Sequence, residues 1–255
     1  MQGLGSREYE DRADTCRPPE LDRILEMPLM EKKQRADHEW DPSDHSPNIY
    51  IDRDNLSVFS RIEFGTTVDC VRGAVAYRTG FHVWEINWPR QDRGPAAIIG
   101  FGNRLVSLCN PQYRPILGIE PNSFGWNISQ NVTITQGGKR TPYPHGLARV
   151  GPNYTVGDTF YCILDLNEGT MAFATDTQYL GVAYRGLRGP LYLMASSEQT
   201  HCQVTLTYRG GLNGVRRLEE LCRAQIRRNI GRGNFKTVVH LPLPRHLRRY
   251  ILFEY

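Results

Sequence analysis

The chain has 255 residues, 40% apolar and 23% charged, enough for one sizeable core and an appendage. Its formal charge of +4 hides an asymmetry: ten Lys or Arg against three Glu from Gly214 to Tyr255 give the tail +7, and the first 213 residues, 21 basic against 24 acidic, carry −3. No stretch approaches the roughly 18 apolar residues of a membrane span, and the charged first thirty residues lack an apolar signal core. Cys16, Cys70, Cys109, Cys162, Cys202 and Cys222 form no CxxC pair and no regular spacing, so the reading is a cytoplasmic chain with free thiols, no metal site and no cofactor.

Residues 1–35 form an N-terminal extension in which Leu21, Ile24 and Leu25, between Pro18-Pro19 and Pro28, predict a short helix. From about His38 the texture changes to short Val, Ile, Tyr, Phe and Trp runs between Gly, Asn, Asp and Pro punctuation. The runs are Asn48 to Asp52, Leu56 to Phe59, Gly73 to Tyr77, Phe81 to Trp88, Ala96 to Gly100, Val132 to Thr135, Thr159 to Leu166, Thr170 to Thr175, Leu180 to Tyr184, Leu191 to Ala195 and Cys202 to Tyr208. That cadence predicts an all-β antiparallel sandwich over residues 36–211. Phe81 to Trp88 is apolar on both alternating faces and reads as a central strand, and Asn167-Glu168-Gly169 reads as a hairpin turn. The sequons at Asn127, Asn131 and Asn153 read as chance, since the chain lacks a signal peptide.

In residues 212–255, Leu218, Leu221, Cys222 and Ile226 fall at i, i+3, i+4 and i+8, one apolar stripe on a helix, with Glu219, Glu220, Arg223, Gln225 and Arg227 around it. An amphipathic core helix has the same periodicity. Leu241-Pro242-Leu243-Pro244 follows, then Leu247, Tyr250 and Leu252.

The whole tail resembles a SOCS box. Val71-Arg72-Gly73, Gly80 to Ile86, Ser123-Phe124-Gly125-Trp126, Leu164 to Thr170, Gly181 to Leu187 and Leu191-Tyr192 resemble a SPRY (B30.2) domain. In order and spacing the set is similar to the SPRY domain-containing SOCS box protein family, with this chain a divergent, Gustavus-like member. The resemblance implies a non-enzymatic adaptor of a ubiquitin ligase. Its SOCS box, through Leu218, Leu221, Cys222 and Ile226, would bind elongin C with elongin B, and Leu241 to Pro244 would meet cullin-5 with its RING partner. The sandwich would hold a short peptide of the form acidic, Ile or Leu, Asn, any, Asn on a target marked for degradation. Arg61, Tyr113 and Gly118 agree with the family's peptide site, and Ile116 replaces Leu. Glu63 replaces Pro, Gly65 Ala, Asn103 Thr, and Glu198-Gln199-Thr200 stands for Val-Trp-Gly. Loss of the Trp removes an aromatic wall, and Glu63 and Glu198 add charge that opposes an acidic ligand.

Other classes find less support. Asp165, Glu168 and Asp176 cluster in sequence but read as turn carboxylates, and adjacent His201 and Cys202 on a strand would face opposite sides. Gly100-Phe101-Gly102 lacks the third glycine and helix of a dinucleotide site. The basic clusters Arg227-Arg228 and Arg245 to Arg249 offer an RNA-binding alternative, but apolar anchors, not stacking aromatics, interleave them. A peptide-binding scaffold without a ligase role is the other alternative.

Overall fold

The computed structural model describes residues 16–62, 67–112, 114–144, 154–212, 222, 226, 229–230, 238 and 241–252. Helix α1 (Pro19–Glu26) forms where the proline-bounded Leu-Ile pattern places it. Pro19 needs no amide partner in a first turn, and Glu20 and Asp22 suit the positive end of the helix dipole. Leu21 and Ile24 are fully buried. A short helix α2 (Lys32–Arg35) and a 3-10 turn (Ala36–His38) lead into the strands.

The strands make two antiparallel sheets. In spatial order the first holds β1 (Trp40–His45), β4 (Val68–Gly73), β14 (Tyr192–Ser197), β6 (Ile98–Gly102), β8 (Ser123–Asn127), β9 (Val132–Thr135) and β10 (Lys139–Pro142), with β7 (Cys109–Asn110) also paired to β4. The second holds β13 (Tyr179–Arg185), β12 (Thr170–Ala174), β11 (Thr159–Asp165), β5 (Phe81–Asn87), β15 (Gln203–Leu212), β3 (Val58–Arg61) and β2 (Ile49–Ile51). The run read as central is central: β5 lies between β11 and β15. Asp165 to Thr170 is a hairpin, with Gly169 at φ +67°.

Alternation sorts β5 cleanly. Trp84 and Ile86 turn into the main core, where Trp84 meets Phe101 of the facing sheet at 5.4 Å between ring centroids. Trp126 packs edge-on to Phe160 across the same gap at 5.7 Å. Such pairs contribute about 0.5–1.5 kcal/mol each beyond the area they bury. On the other face of β5, Phe81 and Val83 share a cluster with Tyr161, Ile163 and the Leu21 and Ile24 side chains of α1. Outside the first sheet, Val106, Ile116 and Leu117 of the long β6–β8 connection join Val68, Cys70, Ile98 and Met194.

Register defines two ends. Asn87 faces Thr159 and Thr205, and Ile98 faces Ser196, so the connections after β5, before β6 and after β14 share one end. Phe81 faces Leu212 and Gly102 faces Tyr192, so β15 finishes at the opposite end. There His82 Nε2 meets the Thr79 carbonyl at 2.9 Å. A carbonyl only accepts, so Nε2 carries the proton and Nδ1 accepts from the Tyr208 hydroxyl at 2.8 Å. His38 stacks on Tyr208 at 3.8 Å and bonds Tyr77 at 2.6 Å, tying the leader to the sandwich.

All six cysteines are free, and Cys70, Cys162 and Cys202 are buried. Among the described residues no helix is long and apolar enough to cross a membrane, and no group of three or more His, Cys, Asp or Glu could hold a metal ion. Helix α3 (Arg245–Leu252) closes the described chain, and Ile251 on it is buried.

Candidate functional site

Arg61 ends β3 with no exposed surface. Its Nε donates to Asp69 Oδ2 at 2.7 Å, and Nη1 donates to Thr200 Oγ1 at 3.2 Å. Asp69 also accepts from the Ser46 and Thr67 hydroxyls and the Asn48 amide. Burial pushes its pKa up, but the bonds from Ser46, Arg61, Thr67 and Asn48 outweigh that and hold it below the ordinary aspartate value. Arg61 is thus the keystone of a polar network joining the β1–β2 connection, β3, β4 and the β14–β15 connection, and its charge is already matched.

Thr200 brings that network to the surface loop. Glu198, 8% exposed, accepts the Ala96 N–H at 3.0 Å, and Gln199 is exposed. A Cβ added to Gly94 would lie 3.1 Å from Gln199 Cβ and 3.3 Å from Glu198 Cγ, so the two loops pack directly on each other. Close by in sequence, Arg90 and Arg93 spend guanidinium N–H groups on the carbonyls of Trp88, Thr155, Val156 and Gly157. Burial draws the Arg93 pKa down to about 10. Ile62, 49% exposed, follows Arg61 at the same end.

The structure therefore assembles Arg61, Glu198, Gln199 and Thr200, and adds Gly94, Pro95 and Ala96 to them. The Gly-Pro pair before the β6 run was the sequence signal for that loop. Ile116 is wholly buried in the cluster that also contains Ala96 and Ile98. Gly118 sits at φ +86°, where a Cβ would meet the Ile134 carbonyl oxygen at 2.1 Å, so steric exclusion explains this glycine. Asn103 is not brought to the site. It follows Gly102 at the far end of β6, about 17 Å of strand from Ile98, and its Oδ1 accepts the Leu105 N–H in a local turn. Glu63, Gly65 and Tyr113 lie outside the described residues.

In the tail, Cys222 and Ile226 are both helical and exposed, one turn apart, whereas Leu218 and Leu221 lie outside the described residues. Leu241 and Leu243 are half-buried and Pro242 and Pro244 exposed, and the Pro244 carbonyl accepts the Leu247 and Arg248 N–H groups that start α3.

The carboxylates weighed for acid-base work have local partners. Asp165 caps its own turn by accepting the Asn167 and Glu168 N–H groups, and Asp176 accepts the Tyr161 hydroxyl. His201 and Cys202 are not on a strand as expected: His201 is a turn residue at φ +61°, and Cys202 is buried with its thiol 3.2 Å from Ser197 Oγ. Burial raises that thiol's pKa, which disfavours a thiolate. Asn127 of the first sequon is buried, its amide bonded to Pro95 and its carbonyl to the Ser129 and Gln130 N–H groups.

Family models match at residues 81–209 (SPRY domain) and 214–252 (SOCS box). The chain is 35% identical over 250 residues to protein gustavus of Drosophila melanogaster, covering 96% of this chain and 89% of that one. It is 34% identical over 245 residues to human SPRY domain-containing SOCS box protein 1, covering 94% and 89%. The crystal structure of the SPRY domain of human HERC1 superposes with a TM-score of 0.52 at 13% identity, over 66% of this chain and 97% of that one, a likeness of fold alone.

Proposed function

The chain belongs to the SPRY domain-containing SOCS box protein family, and from that membership we propose that it is the substrate-recognition adaptor of an elongin B/C–cullin-5 ubiquitin ligase. The family supports a non-enzymatic, SOCS-box ligase adaptor in general terms. The observation that carries the finer reading is the division of labour along β15. That strand leaves the Glu198 to Thr200 loop at Gln203 and ends at Leu212, two residues before the SOCS box match begins. One strand thus joins a recognition loop to a docking module.

In this reading Leu218, Leu221, Cys222 and Ile226 enter a groove on elongin C as the apolar face of a helix, and a buried leucine anchor contributes about 1.5–3 kcal/mol. The exposure of Cys222 and Ile226 on the free chain supports it. Leu241 to Pro244 faces cullin-5, and the loops around Arg61, Glu198 and Thr200 hold a short target peptide in the cytoplasm.

The test is Leu221→Pro with Cys222→Phe, which breaks the helix at about 3 kcal/mol and overfills the groove. Elongins B and C should co-purify with the intact chain and be lost from the double variant. Undiminished co-purification would remove the ligase reading.

A further inference from the structure

Resting on that reading of the recognition loops, we infer that Glu198 makes this site select a peptide with a cationic side chain where the family resemblance implies an acidic one. Three observations carry this. Glu198 is 8% exposed and, among the described residues, accepts one hydrogen bond, from the Ala96 N–H, where a carboxylate can accept about four. The oxygen left over is open to an incoming donor. Next, the carboxylate is held in place, because the Ala96 amide fixes one oxygen and the Glu198 and Gln199 side chains pack over Gly94. Finally, the arginine of the same network is committed elsewhere: Arg61 has no exposed surface and is paired with Asp69 at 2.7 Å. An acidic peptide therefore meets like charge, whereas a lysine or arginine supplies the missing donors and the missing charge.

Hydrophobic anchoring need not change with this reversal. Ile62 is half exposed at the same end and offers apolar surface to the Ile or Leu that follows the first peptide residue. The selected ligand is thus a basic-apolar pair in an extended peptide.

The experiment is calorimetric titration of the full chain with two synthetic peptides, Asp-Ile-Asn-Ala-Asn and its counterpart beginning with lysine, repeated with Glu198→Gln. Glutamine keeps an oxygen for the Ala96 N–H and removes only the charge, so folding is preserved. The lysine peptide should bind at least tenfold more tightly than the acidic one, by a margin that shrinks as salt rises. Glu198→Gln should erase the margin. Tighter binding of the acidic peptide, or a lysine preference that survives Glu198→Gln, would overturn the inference while leaving the recognition site standing. Binding of neither peptide would overturn both the inference and the placement of the site at these loops.

Discussion

The Arg61 guanidinium donates to the Asp69 carboxylate at 2.7 Å, and neither side chain has any exposed surface. The pair ties the last residue of β3 to β4 of the facing sheet, and Arg61 also reaches Thr200 of the β14–β15 connection. Removing one partner leaves a buried charge, so Asp69→Ala should cost about 3–5 kcal/mol in urea unfolding of the full chain. Asp69→Leu combined with Arg61→Met should lose less than the single change, because it leaves no unpaired charge. A loss under 1 kcal/mol for Asp69→Ala would show that the network is not a keystone.

The histidines at the opposite end predict a pH response. Burial lowers the pKa of both His38 and His82, so the folded chain resists protons that the unfolded chain takes up near pH 6.5. Their contribution to stability is fully present above about pH 6.5 and is lost as pH falls through the depressed folded values. Thermal unfolding between pH 7.5 and 5.5 should show a falling Tm, and His82→Phe should flatten the slope whatever it does to the Tm at pH 7.5. Parallel curves for the two proteins would contradict this.

Within the tail, Leu241 to Pro244 presents two exposed prolines ahead of α3. Replacement of all four by alanine should sharply weaken capture of cullin-5 and spare the elongins, since proline fixes the extended segment and the segment lies beyond the residues proposed to bind elongin C. Equal loss of both partners would make it a structural connection only.

Much of the sandwich was legible where strands were apolar and alternating, as in β5, β11 and β12. The misses have physical causes. Trp40 to His45 reads as Trp-Asp-Pro-Ser-Asp-His and forms an irregular edge strand, where proline's missing N–H is tolerated. Lys139 to Pro142 is another exposed edge. The run expected at Gly73 to Tyr77 is displaced. The strand is Val68–Gly73, and Tyr77 makes only an isolated bridge to Leu191. Asp69 and Arg72 disguised that strand, since their buried charges are met by Arg61 and Asp44, distant partners that no local pattern reveals. The same long-range pairing sets Arg61, which the family resemblance gave as a peptide contact, in a buried network that no local pattern reveals. Asn103 was matched to the peptide site through the family resemblance, and only register shows which end of β6 it occupies.

The strand that runs from Gln203 to Leu212 is hydrogen-bonded to β3 on one flank and to β5 along nearly all of the other. Its ten residues, with one irregularity between Tyr208 and Gly210, span about 33 Å, so in the proposed reading this paired strand sets the separation between the peptide loops and the start of the tail. Adjustment must then come from the cargo. Targets whose modifiable lysine sits on a flexible stretch near the recognised peptide would be served, and those with a rigid or badly angled lysine would be held without being marked, so geometry would filter targets a second time after affinity has chosen them.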